Sequence, residues 1–166
     1  MLHRPCQPVT EFGPDLWNLL CDMFATCQAA NGAGLAAPQI GIDLAVFVYD
    51  CLDGSGRHHQ GLVCNPATST GPAMLTDTDL EGCLSLPGAH MPLERPDFAV
   101  CRGQDQFGDL ITVTGTGTLA RCLQHETDHL SGIVMEDHLT AEDRRQLREQ
   151  HRRAASDYPP HWPAPA

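Results

Sequence analysis

The sequence predicts an α+β fold: antiparallel sheets packed around a central helix, with an N-terminal helix and a C-terminal helix added. Three observations predict it. Leu16, Leu20, Phe24 and Cys27 recur at helical spacing near the start, and short apolar runs divided by Gly/Asp turns fill the middle. A later helical pattern then carries His125-Glu126-Thr127-Asp128-His129, read as His-Glu-x-x-His. Two histidines four apart on a helix leave the same face about one turn apart, so they can hold one metal ion. The Glu between them projects beside that ion, where it can take a proton from water. With nine His and seven Glu in 166 residues, chance yields the pattern roughly 0.02 times. It is uncommon, but decisive only if other residues complete the site.

Taken in order, residues 1–10 are extended, because Pro5 and Pro8 forbid a regular helix. Gly13-Pro14-Asp15 starts the first helix, with Pro suited to the first turn and Asp to the dipole, and Asn31-Gly32 ends it. The stretch from Gly32 to Gly41 is too rich in Gly and broken by Pro38 for an ordinary element. It reads either as a tight connection between helix and sheet or as a substrate-lining loop that presents backbone groups and one amide side chain, Gln39. Leu44–Tyr49 is a strand, Asp53-Gly54-Ser55-Gly56 a hairpin loop, and Gly61–Pro66 a strand running into a turn. His58 and His59 are adjacent, point to opposite sides, and read as exposed loop histidines. In Glu81-Gly82-Cys83-Leu84-Ser85, flanked by turn-formers, the lone Cys reads either as a structural residue or as a thiolate presented by a loop at a strand end. Phe98–Cys101 and Leu110–Val113 are strands. Gly115–Thr118 opens the central helix, whose apolar side is Leu119, Cys122, Leu123 and Leu130, and Ser131-Gly132 closes it. Ile133–Met135 reads as a brief strand, and Thr140 caps a last helix running to about Arg153.

Length and composition bound the function. A chain of this size is expected to form one domain, over residues 1–157, followed by a Pro-rich tail over 158–166. No apolar run reaches membrane-spanning length, and residues 1–10 carry no apolar core of a secretory signal, so a cytoplasmic location is expected. A net charge of −11 argues against DNA binding. Eight cysteines without any Cys-x-x-Cys read mostly as small buried hydrophobes, one of which is available as a metal ligand. There is no lysine, and five of the ten basic residues lie between Arg144 and Arg153. That cluster reads first as a solvated helix face with internal acid–Arg pairs, and second as a docking surface for an anionic partner.

Three separated stretches then resemble the three motifs of the peptide deformylases: Gly32-Ala33-Gly34-Leu35-Ala36-Ala37-Pro38-Gln39, Glu81-Gly82-Cys83-Leu84-Ser85 and Gln124-His125-Glu126-Thr127-Asp128-His129. Order and separation are also similar to the family's, over about residues 2–139. The resemblance implies that Cys83 joins His125 and His129 as metal ligands, leaving one open position. It implies removal of the N-formyl group from the formylmethionine of newly made polypeptides, with release of formate. Glu126 would move the proton, while the Gln39 amide and the Leu84 backbone N–H would meet the oxyanion. The peptide would pair β-like near Ala33 and Gly82, with its methionine in an apolar pocket near Gly34 and Cys122. Glu81 and Ser85 would shape the Cys83 loop. The implied working ion is Fe²⁺, although His₂Cys also accepts Zn²⁺, Ni²⁺ or Co²⁺. By family analogy, the Arg144–Arg153 helix is a candidate contact with the ribosome.

Departures from the pattern bear on substrate preference rather than on chemistry. They are a short N-terminus, Ala33 in place of a larger aliphatic, and His90 where some members carry Arg. Three rivals follow. A specialised or inhibitor-tolerant deformylase keeps the same site. A zinc endopeptidase needs a third ligand after His129, for which Glu136 and His138 are available. A catalytically silent metal-binding homologue has no use for Glu126 or Gln39.

Overall fold

The computed structural model describes residues 1–71 and 75–158. The expected tail therefore lies outside the described residues from Pro159 onward. Helix α1 (Pro14–Ala29) leads into a short strand β1 (Gly34–Ala36) and a 3₁₀ turn at Ala37–Ile40. Strands β2 (Val46–Leu52), β3 (His58–Ser69), β4 (Thr76–Gly82), β5 (His90–Pro96), β6 (Phe98–Gln104) and β7 (Leu110–Thr116) follow. Helix α2 (Gly117–Leu130), a 3₁₀ turn at Met135–His138 and helix α3 (Ala141–Ala154) complete the order. The strands form an antiparallel sheet in the order β1-β2-β3-β6-β7 and a separate antiparallel hairpin, β4-β5.

Strand β2 explains how the layers stack. Phe47, Tyr49 and Cys51 share a core with Leu119, Ala120, Cys122 and Leu123 of α2. Val46 and Val48 point the other way, into a core with Leu16, Leu20, Met23 and Cys27 of α1. A strand covered on both faces reads as a continuous apolar run, and that is how Leu44–Tyr49 reads in the sequence. The hairpin packs differently. Met91 and Leu93 of β5 meet Met135, Leu139 and Leu147, which ties α3 to the hairpin.

Several expectations are corrected. Gly34–Ala36, expected in a loop, pairs with β2 as an edge strand. His58 and His59 belong to β3, where each bonds an aspartate, His58 to Asp50 and His59 to Asp53 at 2.7 Å. The brief strand expected at Ile133–Met135 is absent among the described residues. Asp137 accepts a hydrogen bond from the Val134 N–H at 2.9 Å and bends the chain into a 3₁₀ turn there. The whole β4-β5 hairpin went unpredicted.

Candidate metal centre and catalytic cleft

Helix α2 is buried on almost every side and still carries four polar residues inward: Gln124, His125, Glu126 and His129. Buried polar groups at that density need partners or a ligand. The turn after β4 brings Cys83 to the same place. Its Sγ lies 3.3 Å from His129 Nε2, which lies 3.1 Å from His125 Nε2. All three donor atoms are within 4.8 Å of one another. Separations of this size are those expected across a four-coordinate centre with two nitrogen ligands and one sulfur ligand.

Electrostatics supports a cation at this point. Glu81 Oε1 is 2.7 Å from His125 Nδ1. A carboxylate only accepts, so Nδ1 carries a proton and Nε2 faces Cys83 and His129. Burial opposes a charge on His125, yet Cys83 and Glu81 together raise its pKa well above the ordinary imidazole value. His129 is pushed down to about 3, first by burial and then by the neighbouring His125 charge, so it stays neutral. Positive charge is thus favoured between Cys83, His125 and His129, where the proton on His125 Nε2 can give way to a cation, and the residues fit a divalent metal ion.

Glu81 is itself held ionised. Burial works against its charge, but Arg95 and His125 outweigh that and keep its carboxyl well below the usual range. Arg95 grips it with two bonds, Nε to Oε2 at 2.7 Å and Nη2 to Oε1 at 2.8 Å, and also donates to Asp128 at 2.9 Å. Arg121 adds a bond to Glu81 Oε2 at 3.0 Å. Sequence reasoning missed Arg95, Arg121 and Asp128. The sequence signalled only that Glu81, if buried beside a candidate metal ligand, requires counter-charge, and nothing in it says which residue supplies that charge.

The remaining residues gather around a cleft of about 470 Å³. Its walls include Ala33, Gly34, Gly82, Leu84, Cys122 and Glu126, together with Gln39 and Cys83. Gln39 accepts from the Ala36 N–H at 2.8 Å through Oε1, which turns its Nε2 toward Cys83 Sγ at 3.5 Å and Ser85 Oγ at 3.2 Å. Glu126 is fully buried, and burial is the main cause that raises its pKa to about 7. Among the described residues its Oε2 has no hydrogen-bond partner. Gly34 is required by close approach: a Cβ there would stand 2.6 Å from Glu126 Oε1 and 2.7 Å from Cys122 Sγ. The alternative ligands lie elsewhere, His138 bonded to Asp128 at 2.9 Å and Glu136 paired with Arg148. On α3, Arg145 pairs with Glu142, and Arg152 and Arg153 pair with Glu149.

A helix-borne His pair, a buried Glu beside it, a convergent Cys and an open cleft define the class of His-Glu-x-x-His metallohydrolases. The sequence profile of the polypeptide deformylases matches residues 1–145. The chain is 50% identical over 161 residues to Peptide deformylase 1 of Streptomyces avermitilis, covering 96% of this chain and 74% of that protein. It is 49% identical over 156 residues to Peptide deformylase 2 of Streptomyces coelicolor, covering 93% and 86%. Among solved structures, the peptide deformylase from Legionella pneumophila superposes with a TM-score of 0.80 at 36% identity, covering 95% and 93%. The chain belongs to the polypeptide deformylase family, metal-dependent enzymes that remove the N-formyl group from newly made polypeptides. No helix among the described residues is long and apolar enough to cross a membrane.

Proposed function

We propose that Cys83, His125 and His129 hold one divalent cation, Fe²⁺ in the cell, and that Glu126 carries the proton in hydrolysis of the formyl amide. One observation carries this reading: three metal-ligating atoms within 4.8 Å of one another, in a cleft that Glu126 and Gln39 also line. A bound cation supplies Lewis acidity that makes water nucleophilic near neutral pH. Glu126 accepts the proton of the attacking water at Oε and returns it to the amine nitrogen as the C–N bond breaks and formate leaves. Gln39 Nε2 and the Leu84 N–H donate to the formyl oxygen as charge develops there. The peptide backbone runs between Ala33 and Gly82, and the methionine side chain enters beside Gly34 and Cys122.

The direct test is formate release from formyl-Met-Ala-Ser under anaerobic conditions. Fe²⁺-loaded protein is expected to turn over, and chelated protein is not. Absence of formate from folded, metal-loaded protein overturns the reading, and equal turnover with Zn²⁺ overturns the choice of iron.

The place of action is the cytoplasm, where formylated chains emerge, and the α3 arginines supply a contact to the anionic ribosome surface. Arg145→Glu, Arg152→Glu and Arg153→Glu together are expected to reduce co-sedimentation with ribosomes at low salt, since such contacts are screened. Unchanged co-sedimentation removes the ribosome contact.

A further inference from the structure

We infer that Tyr158 is a specificity contact for the peptide residues that follow the methionine, an assignment that rests on the proposed deformylase reading. The family profile stops at residue 145, so Tyr158 lies beyond the part of the chain that the shared pattern covers. Yet it lines the same cleft as Glu126 and Gly82.

The route by which it gets there is built, not incidental. Leu147 buries α3 against Met91 and Leu93 of β5. Gln150 then accepts from the His90 N–H at 3.0 Å and donates to Met91 Sδ at 3.6 Å. His151 Nδ1 donates to the Pro87 carbonyl at 2.9 Å. These bonds fix the end of α3 to the segment that leads into β5. A 3₁₀ turn at Ala155–Asp157 ends the helix and is followed directly by Tyr158. The ring lies over the Gly88 backbone, where a Cβ would stand 2.8 Å from Tyr158 Cε2 and 2.4 Å from Ala154 Cβ. Gly88 also has φ +78, a conformation that glycine tolerates without strain, so both backbone and space at this position are given over to the packed aromatic.

Position within the cleft sets what the ring can touch. Glu126, Gly34 and Cys122 mark the end where the formyl group and methionine are bound. Gly88 and His90 continue the wall that starts at Gly82, with Ala30, Asn31 and Gly32 also lining the cleft. A peptide with its formyl end at Glu126 therefore presents its later side chains toward Gly88 and Tyr158. An aromatic ring gives such a side chain a rigid, largely apolar surface at small entropic cost. The ligand class is thus a formyl-Met peptide with an apolar or aromatic third residue.

Two peptides separate this role from a structural one. With formyl-Met-Ala-Phe, Tyr158→Ala is expected to raise KM about 5-fold with kcat unchanged, a loss typical of one aromatic contact. With formyl-Met-Ala, which ends before the ring, KM is expected to stay at the wild-type value. Tyr158→Phe is expected to match wild type on both. Calorimetric titration of formyl-Met-Ala-Phe into Glu126→Gln protein, with and without Tyr158→Ala, is expected to show the same ratio without turnover. An equal KM rise for both peptides, or none for the longer one, overturns the inference. Wild-type protein that releases no formate from either peptide overturns the deformylase reading as well, whereas turnover insensitive to Tyr158→Ala overturns this inference alone.

Discussion

Glu126→Gln is expected to lower kcat for formate release by about 10³-fold while leaving one metal ion bound per chain. The two side chains have the same shape, so packing against Gly34 and Cys122 is retained. Only the proton acceptor is lost. The buried carboxyl has its pKa pushed up to about 7 by removal from water, with the His125 charge offsetting part of that rise. An acid–base group poised near the working pH both accepts and returns a proton efficiently. Its Oε2 is buried with no partner among the described residues, which leaves that oxygen available to the water and amine of the reaction. Formate release and metal content, measured on the same preparation, check the claim. A variant within 10-fold of wild type would show that another group moves the proton.

The contrast between what the sequence revealed and what it hid has a physical cause. Helix α2 was legible because its signals are local: an apolar stripe and a four-residue His spacing depend on one turn of helix. The β4-β5 hairpin was hidden because its signals cancel. In β4, Thr76 to Leu80 are exposed and only Glu81 is buried, so no apolar face appears. In β5, Met91, Leu93 and Arg95 alternate inward, but Pro92 and Pro96 argue against a strand and Arg95 breaks the apolar pattern. Cys83 stands 42 residues before His125, and no local spacing joins a turn after β4 to a helix. Only the three-motif resemblance singled it out. Arg95 was beyond reach for a further reason. The register sets Glu81 opposite Met91, so Arg95 reaches Glu81 from four residues along the strand by the length of its side chain.

That hidden arginine is expected to matter most for stability. Arg95→Met should lower stability by about 3 kcal/mol, toward the low end for a broken buried pair because Arg121 still holds Glu81. For a chain of this size that corresponds to a fall in Tm of roughly 6–12 °C. Arg95 and Glu81 are only 7% and 4% exposed, so solvent cannot substitute for the lost partner. The chemistry should suffer as well. Glu81 fixes the His125 tautomer, and a Glu81 relieved of Arg95 is more easily protonated and holds that ring less firmly. Metal affinity should therefore fall about 10–100-fold, the usual consequence of losing a group that orients a ligand. Thermal melting of metal-free protein separates the two effects, because it contains the packing loss without the binding loss. The double variant Arg95→Met, Glu81→Leu should recover part of the melting temperature, since an apolar pair replaces a buried carboxylate that has lost its bidentate partner, and none of the metal affinity. Recovery of both would mean that Glu81 serves the fold alone and that His125 is oriented by something else.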